Sequence, residues 1–243
     1  PSIPHRAPFP EAGGAAMMHL LGRIYRRRFR GRIERRNLVW KALCAGYFQR
    51  LVPEDSTVLE IGVGCCEFIN NIRCRRKIAF DANVDIRGYA GPGVEVIIGH
   101  STSLTTVPDQ SVDVVFLSNF FEHLSKGEIL ETIGEIRRVL RPGGRLLVLQ
   151  PNYRYCFRDF WMFFDHVTPL DDRSVCEALE VSGFSVISCH PRFLPYTMAS
   201  SYPLFPFLIR IYLKFPPLWW LFGQQAFIVA AKETAPESCA DRS

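Results

Sequence analysis

Short apolar runs recur along the chain and alternate with stretches whose apolar residues fall at helical spacing. Residues 58–64, Val-Leu-Glu-Ile-Gly-Val-Gly, read as a strand breaking into a two-glycine turn. Residues 77–80 form a second run ending in Asp81, residues 94–98 a third, and residues 112–117 a fourth that opens with Asp113. After it, Ser125-x-x-Glu128 makes a capping box, and Ile129, Ile133, Ile136 and Leu140 lie on one helical face. Arg141-Pro142-Gly143-Gly144 stops that helix, because proline and glycine end helices, and residues 145–149 are a fifth strand. A helix over 171–181, a sixth strand at 184–189 and a seventh at 226–231 complete the series. Strands alternating with helices favour an α/β layer fold.

The turn after the first strand carries the strongest chemical signal. Gly62 and Gly64 can adopt backbone angles closed to other residues and let a ligand approach the main chain. In an open parallel sheet such a crevice lies beyond the carboxyl ends of the strands. Dinucleotide sites usually show G-x-G-x-x-G, whereas here Cys65, Cys66 and Glu67 follow Gly64, and Glu60 precedes the first glycine. The resulting E-x-G-x-G resembles motif I of the class I S-adenosylmethionine-dependent methyltransferases. Asp81 stands about twenty residues on, where an acid can accept hydrogen bonds from ribose hydroxyls. The block from Asp113 through Glu122-His123-Leu124 and the phrase RVLRPGGRLLVLQPN are similar to later segments of the same family, so the resemblance covers about residues 55–190.

That resemblance implies a doubly wound, mostly parallel seven-stranded sheet of Rossmann-like methyltransferase type, its last strand antiparallel, and S-adenosylmethionine as cofactor. It assigns cofactor contacts to Glu60, Gly62, Gly64, Cys66, Asp81, His100, Ser101 and Asn119. Cys66 replaces the third glycine of the motif. His100 and Ser101 stand where many relatives carry an aspartate for the adenine amino group, a contact they can make only with a suitable tautomer or rotamer.

Methyl transfer from a sulfonium is an in-line displacement, so the protein mainly aligns the acceptor and excludes water. A protonated nucleophile also needs a base. His123, past the fourth strand, and His166, in the run Phe163-Phe164-Asp165-His166-Val167, are the candidates, since histidine titrates near neutral pH. His123 can equally play a structural role in the turn before its helix, and Asp165 either orients His166 or caps a local turn. Asn119, Asn152, Tyr153 and Tyr155 follow strand ends and are candidates for the acceptor pocket, although turn chemistry also explains Asn152. No Asn-Pro-Pro-aromatic segment follows the fourth strand, which argues against methylation of planar amines.

Composition agrees with a soluble domain: 243 residues, 48% apolar and 22% charged, with a formal net charge of +5. The eight cysteines lack C-x-x-C pairs, and Cys65, Cys66 and Cys74 fit no standard zinc spacing, so reduced thiols and no metal are expected. Residues 1–22 read as a tail, 23–52 as a basic helical segment, 53–232 as the methyltransferase domain and 233–243 as a second tail. Residues 23–36 hold eight arginines, which favours an anionic partner such as a membrane surface, a phosphorylated acceptor or nucleic acid, or else makes a solvated helix covering the sheet edge. Few aromatic residues beyond Tyr25 and Phe29 accompany those arginines, which disfavours nucleic acid. No signal-peptide core precedes Arg23, so a cytoplasmic protein, peripheral at the inner membrane, is expected.

Residues 193–222 form an insertion rich in Phe, Leu, Tyr, Trp and Pro, interrupted by Arg210 and Lys214 and broken by prolines, so it fails as a spanning helix. Trp219, Trp220 and Phe222 form either a wall of the acceptor site or an interfacial anchor, unless the insertion simply packs on its own core or a second subunit. The stretch FFDHVTPLDDRSVCEALEVSGFSVI and the ending FGQQAFIVAAK resemble bacterial methyltransferases of surface-polysaccharide synthesis. O-methylation of a sugar or of a lipid-linked or phosphorylated glycan precursor is the expected activity. A small-molecule O- or N-methyltransferase, an RNA-modifying enzyme and a catalytically silent binding protein are the alternatives.

Overall fold

The computed structural model describes residues 22–24, 26–28, 31–196 and 206–233. Residues 1–21, Tyr25, Phe29, Arg30, residues 197–205 of the aromatic insertion and residues 234–243, with Cys239, lie outside them. Seven strands form one sheet in the order β3-β2-β1-β4-β5-β7-β6. They are β1 (Thr57–Ile61), β2 (Arg76–Asp81), β3 (Val94–Ile98), β4 (Val112–Ser118), β5 (Leu140–Pro151), β6 (Phe184–Leu194) and β7 (Gln225–Lys232). The first five run parallel, while β7 pairs antiparallel with both β5 and β6. This is the doubly wound, Rossmann-like methyltransferase architecture, with the strand order reversing between β1 and β4.

Central strands buried on both faces require near-continuous apolar sequence, and β1 and β4 supply it. Every residue of β1 is buried, as are the first six of β4. One face packs on α3 (Lys126–Val139) and α5 (Asp172–Val181). The other packs on α1 (Ile33–Gly46) and α2 (Glu67–Asn71). Here Phe68 stacks on Phe116 with ring centroids 3.7 Å apart, and Trp40 and Phe48 close edge-on around Phe116. The helix that follows the arginine-rich stretch covers one sheet face: α1 buries Val39, Trp40, Ala42, Leu43 and Cys44.

Helix ends follow sequence chemistry. Ser125 and Glu128 form the capping box of α3, and Asp171 accepts from Ser174 N to cap α5. Three elements differ from expectation. β5 begins at Leu140, because Leu140 pairs with Val112 across a register shift, so Pro142-Gly143-Gly144 lies inside the strand. β6 continues to Leu194, which pairs with Gln225 beyond a second irregularity. The insertion holds α6 (Pro206–Lys214) and α7 (Pro216–Phe222), each opening on a proline, a residue tolerated in the first turn because its missing N–H has no intrahelical partner there. The seven described cysteines are free.

Candidate active site

The loop after β1 opens onto the crevice through its glycines. From Ser56 to Ile69 every residue is buried except Gly62 and Gly64, which are half-buried. Both have positive φ, +71° and +55°. A Cβ on Gly62 would lie 2.2 Å from Cδ2 of Phe120, so the bare backbone there is required by packing as well as by torsion. Cys66 also takes a left-handed conformation, φ 59°, which explains why glycine is usual at that place. Its thiol is buried, with Sγ 3.9 Å from the Ile86 carbonyl oxygen.

The carboxylates organise this loop. Glu60 is buried and accepts from Ile69 N at 2.9 Å, fixing the start of α2. Burial pushes its carboxyl well above the ordinary range, with the Ile69 N–H opposing. Asp81, at the end of β2, accepts from Gly64 N at 3.2 Å and Asn83 N at 2.8 Å, so it ties the glycine loop to the next strand. Beyond β3, His100 is exposed, with Nδ1 2.9 Å from the Thr102 hydroxyl. Ser101 turns inward, its hydroxyl 2.8 Å from Thr132 on α3.

A second polar cluster sits past β4 and β5. Gln150 Nε2 donates to Glu122 Oε2 at 3.0 Å, and the Glu122 carbonyl accepts from Val167 N and Thr168 N, holding the segment 163–168 across the strand ends. His123 Nδ1 lies 3.0 Å from the Asp165 carbonyl, which can only accept, so Nδ1 carries a proton and the ring is held with Nε2 on its other side. The rings of His123 and His166 are 5.0 Å apart. Burial, reinforced by His123, pushes His166 down to about 4, so it is neutral at physiological pH. Burial raises the Asp165 carboxyl, but the Arg28 guanidinium and His123 outweigh it and hold Asp165 below its ordinary value.

Among the described residues, six buried polar side-chain atoms without a hydrogen-bond partner lie at or beyond these strand ends: Asn119 Oδ1, Gln150 Oε1, His166 Nδ1, Tyr196 OH, Gln225 Oε1 and Asp165 Oδ2, the last 3.5 Å from His123 Nδ1. Buried polar groups are normally satisfied, so a concentration of orphans at one end of the sheet, where the parallel strands have their carboxyl ends, is the pattern a ligand site leaves. Asn119 has φ 49°, another strained position in the same crevice. Gln150, Tyr196 and Gln225 were absent from the sequence-based site. Gln150 and Gln225 had a signal, each a polar residue at the end of an apolar strand.

Other expected acceptor residues go elsewhere. Asn152 is fully buried, donating to Asp172 at 2.7 Å and Pro191 O at 2.9 Å, and it caps α4 (Tyr153–Phe160). Tyr153 stacks edge-on against Phe160, and the ring of Tyr155 lies under Arg154 and Arg192. Trp219 packs between Tyr47, His190 and Phe193, while Trp220 is 72% exposed beside Arg192. The arginine segment reaches both ends of the crevice: Arg26 pairs with Asp85 after β2, and Arg28 pairs with Asp165 and covers the Phe163 ring at 4.5 Å.

With this geometry in place, comparison with known proteins is direct. Residues 59–148 match the family model "Methyltransferase domain". That span runs from β1 to β5 and contains both the glycine loop and Glu122-His123. A Mycolicibacterium smegmatis protein named "Probable S-adenosylmethionine-dependent methyltransferase" is 39% identical over 150 residues, 57% of this chain. The match spans 56% of that relative, so the chain covers little more than half its length. Among solved structures, an S-adenosylmethionine-dependent methyltransferase from Archaeoglobus fulgidus superposes with a TM-score of 0.63 at 22% identity, covering 87% of this chain and 99% of that one. The [4+2]-cyclase SpnF shares the fold at TM-score 0.55 and 18% identity, covering 80% of each chain. One fold thus carries more than one chemistry.

Proposed function

We propose that this chain is a methyltransferase that takes its methyl group from S-adenosylmethionine and delivers it to an oxygen of a sugar or of a lipid-linked or phosphorylated glycan precursor. The observation that carries the reading is the set of unpartnered polar atoms at the ends of β4, β5 and β7, beside a glycine loop and an acid at the end of β2. The residues fit the cofactor: Gly62 and Gly64 leave the loop backbone open, Asp81 offers a carboxylate to ribose hydroxyls, and Asn119 Oδ1 is an acceptor awaiting a donor. When bound, S-adenosylmethionine supplies an electrophilic methyl carbon on a sulfonium.

The acceptor lies over Glu122, His123 and His166. His123, its Nδ1 fixed on the Asp165 carbonyl, presents Nε2 to receive the acceptor proton, and His166 accepts a hydrogen bond through Nδ1. An anionic membrane surface is the setting we infer for the reaction. No helix among the described residues is long and apolar enough to cross a membrane. Phe157, Trp161, Met162, Phe164, Trp220 and Phe222 are all at least half exposed, with Arg158 over the Phe157 ring and Arg192 over the Trp220 ring, and aromatic residues among cations suit a lipid interface.

Two measurements test the reading separately. Calorimetry with S-adenosylhomocysteine should show one site per chain. Incubation with radiolabelled S-adenosylmethionine should then label glycolipid or nucleotide-sugar fractions. Label appearing in RNA alone would refute the acceptor class, and absence of binding heat would refute the enzyme reading itself.

A further inference from the structure

We propose that Glu122, His123 and His166 form a binding site for a divalent transition-metal ion of the zinc type. A carboxylate oxygen of Glu122 and one ring nitrogen from each histidine all lie within 4.8 Å of one another, the one such group among the described residues. Bonds of about 2.0–2.2 Å to one ion bring neighbouring ligand atoms to about 3–3.5 Å, so side-chain rotation of roughly an ångström completes the site.

The surroundings are those of a prepared ligand set rather than a chance cluster. Glu122 is 1% exposed and its second oxygen is held by Gln150 Nε2 at 3.0 Å. His123 is oriented through Nδ1 by the Asp165 carbonyl, with Nε2 3.9 Å from Glu122 Oε1. Hydrogen bonds of this kind on the far side of each ligand fix ring orientation and tautomer in metal sites. The independent observation is His166: 8% exposed, with Nδ1 buried and lacking any hydrogen-bond partner. Phe160 and Phe163 pack against its ring at 4.5 and 5.1 Å, so no protein donor replaces a missing ligand there.

Two imidazoles and one carboxylate suit zinc, iron, cobalt or manganese better than magnesium or calcium, which prefer all-oxygen sites. Three protein ligands leave coordination positions open for an acceptor oxygen, whose acidity the ion would raise. The inference rests on the reading that this cluster faces the acceptor. In the loaded protein His123 would hold the ion instead of receiving a proton, and the acidified acceptor would lose its proton to water.

The test uses the full chain, freed of metal by chelator dialysis and titrated with cobalt(II). Visible d–d absorption should saturate at one ion per chain, disappear on zinc addition, and be lost in H166A and in the near-isosteric E122Q. Circular dichroism checks that each variant is folded, and E122Q stands in if H166A is not. No visible absorption, absorption unchanged in a folded variant, or intense near-ultraviolet thiolate-to-cobalt bands would overturn the proposal. S-adenosylhomocysteine calorimetry on the same samples separates the two readings: cofactor binding without cobalt binding removes only the metal, and the reverse removes the methyltransferase reading.

Discussion

Replacing Gly62 by alanine tests whether the glycine loop is shaped by torsion alone or also by its neighbour. Gly62 has φ +71°, and an added Cβ would meet Phe120 Cδ2 at 2.2 Å. Gly143 has the same φ, +71°, with nothing within 4 Å of its Cβ position. A left-handed backbone costs an L-residue about 1–2 kcal/mol, so G143A should lose about that amount. G62A adds overpacking of about 1–3 kcal/mol, for a total of about 2–5 kcal/mol. Urea unfolding of G62A, G143A, F120A and G62A/F120A measures both parts. In the F120A background the cost of G62A should fall to that of G143A, a coupling of about 1–3 kcal/mol. S-adenosylhomocysteine affinity should fall in G62A and hold in G143A. Equal destabilisation of the two glycine variants, or no coupling to Phe120, would refute the packing argument.

Asp81→Asn keeps one acceptor where the carboxylate serves Gly64 N and Asn83 N; with a charged hydrogen bond worth about 1.5–3 kcal/mol, S-adenosylhomocysteine binding by calorimetry should weaken about ten- to a hundredfold. Glu60 is pushed up by burial, so the folded state holds its proton more tightly than the unfolded state, and wild-type stability falls as pH rises from the ordinary glutamate value of about 4.3 through the raised one. E60Q should remove that slope in a pH series of urea unfolding; an unchanged slope would clear Glu60 of the effect. Burial opposes but Ser174 N and Arg173 hold Asp171 below its ordinary value, so its contribution is present at neutral pH and lost as pH falls through the folded value. D171A should cost about 1 kcal/mol at pH 7 by thermal unfolding, and the gap should close in acid.

Sequence pattern sufficed where one physical rule acted alone. Both-face burial makes β1 and β4 continuous apolar runs, and the Ser125 capping box marked the start of α3. It fell short where a partner distant in sequence decided the outcome. Leu140 has helical spacing but joins β5 because Val112 is there to pair with it, and β6 outruns its apolar core because β7 offers Gln225. Around the site, the loop and Asp81 were legible because backbone freedom and a terminal acid leave local marks. Whether Ser101 faces the crevice or Thr132, and whether Asn152 meets a ligand or Asp172, depends on elements tens of residues away. Gln150 and Gln225 were visible as polar interruptions, but only the assembled sheet brings them to one end.

The arginine arm makes contact with both ends of the crevice, Arg26 on Asp85 and Arg28 on Asp165. A short stretch of chain therefore ties Asp85, after β2, to Asp165, beyond β5. Under the proposed function, an acceptor that displaced Arg28 would loosen the same segment that Arg26 holds beside Asp85. By reciprocity, occupancy of either end changes the affinity of the other by an equal factor. Under the proposed function, cofactor and acceptor would then be thermodynamically linked through a piece of backbone that lies outside the sheet, and salt, which weakens both ion pairs, should weaken that linkage as well.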